Sequence, residues 1–347
     1  MTLEEMGPLS ESTSAATTQE PDGEAAAAEF RAAVTAIERQ VSAAIVGQRE
    51  AVRGVMVSLI LGGHALLEGV PGIGKTSMVR AFAGALGISH NRIQFTPDLM
   101  PADITGTVVL VDRADSAPQL VFQHGPLFGA LILADEINRA SPRTQSALLE
   151  AMQEGTVTIG NETHHLARPF SVLATQNPVE MQGTYPLPEA QLDRFLLKLH
   201  FDYPSTAELT AIVRRTTDQL PEPAPVSDGA ALLRMGALAR SLPAASPVLD
   251  YASRIVIALQ PADGAEKLVR DYVRLGPSPR GAQALTLAGS VSALIAGRNH
   301  LSYEDVRSVA LPALRHRLIL TFDAERNGVT ADDIVSAVVK DVREDAP

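Results

Sequence analysis

Gly69-Val70-Pro71-Gly72-Ile73-Gly74-Lys75-Thr76 carries the G-x-x-x-x-G-K-[ST] spacing of a loop that cradles phosphate. Its flanks agree with that reading. Ala65-Leu66-Leu67 before it suits a buried parallel strand, and Ser77 to Leu86 after it suits a helix that Gly87 ends. A triphosphate needs closely spaced backbone N–H groups on a glycine turn, the positive end of a helix dipole, a lysine for the β and γ oxygens, and a hydroxyl for Mg²⁺. The run Gly69, Val70, Pro71, Gly72, Ile73, Gly74, Lys75, Thr76 and Ser77 supplies all four. A Gly-Pro-Gly turn with a surface lysine is the competing reading, and the strand and helix on either side count against it.

Around this stretch lies a chain of 347 residues, 46% hydrophobic and 20% charged, enough for two domains and a substantial core. The formal charge of -11 is unevenly placed. Six acids and no Lys or Arg fall in the first 28 residues, so the remainder carries only -5. No basic stripe marks a nucleic-acid footprint. With no cysteine there is neither a disulfide framework nor a thiolate metal site. The acidic start lacks the positive segment and apolar core of a secretory signal, and the longest uncharged run, Gly281 to Gly297, is shorter than the ~20 apolar residues of a spanning helix. The expectation is a cytoplasmic protein without membrane insertion.

Residues 1–28 are expected to form a disordered acidic tail, too poor in apolar surface to offset chain entropy. Residues 29–204 then read as an α/β nucleotide-binding core. Phe30, Val34, Ile37 and Val41 lie on one helical face, and a second helix follows the break Val46-Gly47-Gln48. Asn91–Phe95 reads as a short strand, the apolar runs ending at Ala134, Ala174 and Leu199 as further strands of a parallel sheet flanked by helices, and the pairs Val108–Val111 with Gln119–Phe122 and Thr156–Ile159 with His164–Leu166 as two inserted hairpins. Residues 205–225 read as a linker region holding Pro221-Glu222-Pro223-Ala224-Pro225, and 226–347 as an all-α domain with helices over Asp228–Arg240, Val248–Leu259, Ala265–Leu275 and Arg280–Ala296. Ser205-x-x-Glu208, Ser302-x-x-Asp305 and Thr330-x-x-Asp333 are helix-start boxes.

In-line attack of water on a γ-phosphoryl group needs a metal, a positioner for the water, and positive charge where the transition state gathers negative charge. Asp135, at the end of a buried strand, can orient a Mg²⁺ ion held with Thr76, and Glu136 can sit beside an attacking water. Asn177, ending a neighbouring strand, can hydrogen-bond that water or the phosphate. Arg194 and Arg280 are the cations assigned to phosphate. An ordinary acidic strand end, an Asn-Pro turn and two surface salt bridges are the alternatives. His164 and His165, adjacent on a strand, point to opposite faces and do not share a metal.

Leu133-Ala134-Asp135-Glu136-Ile137-Asn138-Arg139-Ala140, Ala174-Thr175-Gln176-Asn177-Pro178 and Gly183-Thr184-Tyr185-Pro186-Leu187-Pro188-Glu189-Ala190-Gln191-Leu192-Asp193-Arg194-Phe195 closely resemble the MoxR family of AAA+ ATPases. The resemblance runs from about Phe30 to Val342. It implies that Lys75 and Thr76 are the Walker A pair, Asp135 and Glu136 the Walker B pair, Asn177 sensor 1, Arg194 an arginine finger acting on the next subunit's ATP, and Arg280 sensor 2 on a helical lid, in cis or in trans. It further implies that Val46, Gly47 and Gln48 border the adenine and that the hairpins are the helix-2 and pre-sensor-1 inserts. ATP and Mg²⁺ are the implied cofactors. A homo-oligomeric ring, usually a hexamer, a von Willebrand factor A domain partner and a protein client undergoing remodelling or metal-cofactor insertion complete the picture. A nucleotide-gated scaffold with little turnover and a magnesium-chelatase-type motor subunit are the alternatives, with a DNA motor disfavoured by the charge.

Overall fold

The chain opens with α1 (Gly23–Ala44) and α2 (Arg49–Ile60), then runs through β1 (Ala65–Glu68), α3 (Lys75–Leu86), β2 (His90–Gln94) and α4 (Pro101–Thr105). The hairpin β3 (Gly106–Arg113) and β4 (Ser116–His124) precedes β5 (Leu131–Asp135) and α5 (Pro142–Glu154). A second hairpin, β6 (Thr156–Ile159) and β7 (Glu162–His165), leads to β8 (Ser171–Gln176), α6 (Glu189–Leu192) and β9 (Leu197–His200). This computed structural model describes residues 23–113, 116–177, 183–217 and 223–344. The expectations made for residues 1–22, for Pro178, for Pro221 and Glu222, and for the tip of the first hairpin at 114–115 lie outside the described residues.

Five strands pair in the order β2-β5-β8-β1-β9, every pairing parallel. Alternate residues of one strand serve opposite cores, as a period of two requires. Leu66, Ile132, Ala134, Val172 and Ala174 face a core closed by Leu148 and Leu149 of α5, whereas Ala65, Leu67, Leu133, Leu173 and Leu199 face α1, α2, α3 and the helices that follow the sheet. Each leucine so buried contributes roughly 1.5–3 kcal/mol, which is why these strands are apolar on both sides. The loops at the carboxyl ends of the strands meet where an open parallel sheet receives its ligand.

Two expectations are corrected. The acidic tail does not extend to residue 28: α1 begins at Gly23, and Ala27 is buried beside Phe30. Ala25 to Ala28 are strong helix formers, and the docked face at Phe30, Val34, Ile37 and Val41 extends back one turn through them. The second concerns the all-α region. After α7 (Thr206–Thr217) come α8 (Gly229–Ser241), α9 (Ser246–Ala258), α10 (Lys267–Tyr272), β10 (Val273–Leu275), α11 (Pro279–Ile295), α12 (Tyr303–Ser308), α13 (Ala310–Leu314), β11 (Ile319–Leu320), α14 (Phe322–Asn327) and α15 (Ala331–Asp341). The helix expected over Ala265–Leu275 stops at Tyr272, because Val273 pairs antiparallel with Leu320. The three helix-start boxes form: Ser302 and Thr330 accept from the N–H groups of Asp305 and Asp333, whose carboxylates accept in return, and Ser205 and Glu208 do likewise.

The two hairpins lean together through aromatic rings. Phe122 stacks on His164 with centroids 4.1 Å apart, and His124 stacks on Phe128 at 4.2 Å. His165 faces solvent from the other side of its strand.

His64, at the entry to β1, is buried as a neutral ring: its Nδ1 accepts from the Val172 N–H at 3.0 Å, which leaves Nε2 to donate to the Met152 carbonyl at 3.0 Å. Burial pushes its pKa down to about 4, against the opposing pull of the Met152 carbonyl. A folded pKa below the unfolded value means the unfolded chain takes up more protons, so stability falls as pH drops from about 6.5 towards 4. His64 alone accounts for about 3 kcal/mol across that window, and buried His316, also held neutral by burial, adds in the same direction. Urea unfolding at pH 7 and pH 4.5 checks this: the midpoint falls in the wild type, and falls less steeply in His64→Asn.

Candidate nucleotide site

The phosphate loop takes its shape from three glycines with different tasks. A Cβ at Gly69 would lie 2.8 Å from Phe201 Cβ and 2.9 Å from its carbonyl oxygen, so that position is set by close packing. Gly72 and Gly74 have φ of 81° and 97°, backbone open to glycine at little cost. Gly74 caps α3, whose first turn presents Lys75, Thr76 and Ser77 with unpaired backbone N–H groups. In front of them lies a cavity of about 330 Å³ lined by Pro71, Gly72, Gly74, Lys75, Thr76, Ser77, Arg92, Gln94, Asp135, Glu136, Thr175 and Asn177. Ile73 turns away, packing against the core under α3, and Val70 is not part of the lining.

Lys75 is buried, its Nζ donating to the Gly69 carbonyl at 2.6 Å and reaching the Gln176 carbonyl at 3.5 Å. Burial lowers its pKa, and the charges of Asp135, Glu136 and Glu68 pull the other way. Glu68, ending β1, is desolvated, yet its bonds to His200 and Lys198 outweigh that and hold it at about 2. A buried lysine resting on the Gly69 and Gln176 carbonyls is a cation without a strong anionic contact, and the cavity beside it fits a phosphate group.

Asp135 and Glu136 enter the cavity from β5, and Thr175 on β8 fixes both. The Thr175 hydroxyl donates to Asp135 Oδ1 at 2.6 Å and accepts from the Glu136 N–H at 2.8 Å. Glu136 takes a left-handed backbone, φ 58°, which turns its side chain out of the strand. Asp135 Oδ2 and Glu136 Oε2 are engaged as well. Arg92 donates to Asp135 Oδ2 from Nη2 at 2.7 Å and Nε at 3.2 Å, while Gln94 and Arg139 donate to Glu136 Oε2 at 3.1 and 3.0 Å. Thr76 and Asp135 bring a hydroxyl and a carboxylate to the same cavity, oxygen donors suited to Mg²⁺. Asn177, buried at the end of β8, completes the lining. Sequence reading missed Arg92, Gln94, Thr175 and Arg139 as site residues. The only signal for the first two is register, since Gln94 pairs with Asp135 across β2 and β5.

The remaining candidates lie elsewhere. Gly47 lines a second, larger cavity of about 1030 Å³, between α2, β9 and the helices α11 to α13, and does not line the phosphate cavity. Gln48, with φ 54°, donates to the Asp202 carbonyl at 2.8 Å and so fixes the Val46-Gly47-Gln48 break against the end of β9. Arg194 donates to the Leu149 carbonyl on α5 at 2.7 Å. Arg280 approaches Asp193 at 4.0 Å, beside Ser278, whose hydroxyl donates to the same carboxylate at 2.8 Å. Buried Arg317 holds the other Asp193 oxygen at 2.9 Å and caps the Phe195 carbonyl at 2.7 Å. Burial lowers its pKa to about 10 and Asp193 opposes that, so it stays charged at neutral pH. The segment that carries Arg194 is thereby tied to the helices after the sheet.

A family model for ATPases associated with various cellular activities matches residues 64–197, and one for an AAA lid domain matches 265–338. The chain is 40% identical to Chaperone MoxR1 of Mycobacterium tuberculosis over 87% of its length and 80% of the relative's. It is 32% identical to Protein MoxR of Methylorubrum extorquens over 92% and 97% of the two chains. The chain belongs to the MoxR family of AAA+ ATPases. A crystal structure of a protein from Cytophaga hutchinsonii, titled as an ATPase, has the same fold, with a TM-score of 0.86, 35% identity and coverage of 92% and 97%. In this MoxR-family chain the lid model runs from just before α10 into α15, a stretch that includes Ser278, Arg280 and Arg317. Among the described residues no helix is long and apolar enough to cross a membrane.

Proposed function

We propose that the protein hydrolyses ATP with Mg²⁺ in a homo-oligomeric ring and uses that cycle to remodel or mature client proteins. The observation that carries this reading is the convergence of the loop, Lys75, Thr76, Asp135, Glu136 and Asn177 on one cavity at the carboxyl ends of the strands. Held by Thr76 and Asp135, Mg²⁺ would neutralise charge on the phosphate oxygens. Lys75 leaves its loop carbonyl for the phosphate, the α3 amides bind its oxygens, and Glu136, once released by Gln94 and Arg139, orients the attacking water with Asn177. Arg194 and Arg280 lie outside this cavity in their own chain. That supports a ring in which Arg194 serves a neighbouring copy and Arg280 acts in cis or in trans, and a hexamer is the size proposed. The name of the mycobacterial relative supports a chaperone role. A von Willebrand factor A domain protein is the proposed partner.

A second reading, a nucleotide-gated scaffold with little turnover, draws on the double clamp on Glu136; rapid turnover by the isolated protein would exclude it. The magnesium-chelatase-type motor subunit ranks below both. Nucleotide binding tests the first reading at its base. Lys75→Ala removes a charge-assisted contact, so affinity for a fluorescent ATP analogue should fall by about 10- to 100-fold, and affinity equal to wild type would reject the loop as the nucleotide site.

A further inference from the structure

We infer that Arg92 is a resident cation that occupies the carboxylate of Asp135 until a divalent ion displaces it, so that metal entry is a competition with this side chain. The inference rests on the nucleotide reading above and concerns a residue that reading leaves unused. Asp135 has two oxygens, and both are taken. Oδ1 accepts from Thr175, part of the permanent framework between β5 and β8, while Oδ2 accepts both Nη2 and Nε of Arg92. A divalent ion drawn to this carboxylate from the Thr76 side meets the guanidinium on Oδ2, and two cations cannot share that oxygen without strong repulsion.

The two ends of the pair are built differently. The Asp135 side chain is 16% exposed and points into the cavity, whereas the Arg92 side chain is 50% exposed and stands on the edge strand β2. The acid is fixed and the base can swing into solvent without opening a hole in the core. The same cavity also holds the Thr76 hydroxyl, an oxygen suited to the same metal.

Displacement also has a local consequence. Arg92 Nη2 donates to Gln94 Oε1 at 2.7 Å, and Gln94 Nε2 donates to Glu136 Oε2 at 3.1 Å. Arg92 thus braces the amide that holds Glu136, and its departure from Asp135 loosens that amide. The presence of metal at one acid is felt at the next through two side chains of β2.

Equilibrium binding of a fluorescent ATP analogue to the full chain, titrated with Mg²⁺ from EDTA upwards, tests this without any turnover. In Arg92→Gln the half-saturating Mg²⁺ concentration should fall by about two- to five-fold, the factor a part-exposed ion pair can supply. Affinity at saturating Mg²⁺, where Arg92 is already displaced, should change by less than the midpoint does. Arg92→Lys, which keeps the charge without the fork, should fall between the two and carries the comparison if the glutamine variant melts early. An unchanged Mg²⁺ midpoint in both variants overturns the inference. Binding at saturating Mg²⁺ that weakens by more than the midpoint shifts also overturns it, because Arg92 would then be a phosphate ligand. Absence of analogue binding by the wild-type protein at any Mg²⁺ concentration would instead reject the nucleotide reading itself.

Discussion

Steady-state phosphate release by Glu136→Gln should fall by about 10²- to 10⁴-fold, the contribution of a positioned proton acceptor, while ATP is still bound. The side chain lines the phosphate cavity from the end of β5, and its backbone is held at φ 58° by the N–H bond to Thr175. Glutamine has the same length and keeps an oxygen for Gln94 and Arg139, so the local structure survives the change. What is lost is the negative charge that draws a proton from water. Binding should be at least as tight, since a negative charge facing the phosphates is removed. Activity equal to wild type would show that Glu136 does not act on the water.

Arg194→Ala should abolish turnover to a similar or greater extent, by about 10³- to 10⁵-fold, the range for an arginine that stabilises phosphoryl-transfer charge. In a single chain Arg194 binds the Leu149 carbonyl and does not line the cavity. Losing that bond costs about 1 kcal/mol of stability, too little to explain the expected loss of rate. Its own chain's loop is untouched, so the variant should still bind the ATP analogue with near wild-type affinity. A variant that binds nucleotide normally and turns over at the wild-type rate would remove Arg194 from the chemistry.

The sheet and the loop were readable because their signals are local. Leu66, Leu133 and Leu173 sit in short, mostly apolar runs, and Gly69 to Thr76 is one contiguous motif. Features that depend on distant pairing were not. The break of the Ala265–Leu275 helix comes from Leu320, a partner 47 positions beyond Val273. The start of α1 depends on where Ala27 docks, which the alanine run alone does not reveal. Arg92 and Gln94 become site residues only when β2 pairs with β5 in the register that sets Gln94 beside Asp135. Asp193 lies in the Gly183–Phe195 motif, but its partners Ser278 and Arg317 come from the lid.

Mixing two inactive proteins is the most direct test of a site completed by a neighbouring copy. Lys75→Ala lacks a working loop and keeps Arg194, whereas Arg194→Ala lacks the arginine and keeps its loop. If hydrolysis needs a neighbour's arginine, mixed assemblies contain some complete sites, and phosphate release should rise well above that of either variant alone. Release no greater than the sum of the two variants, in samples shown to have exchanged subunits, would contradict the account.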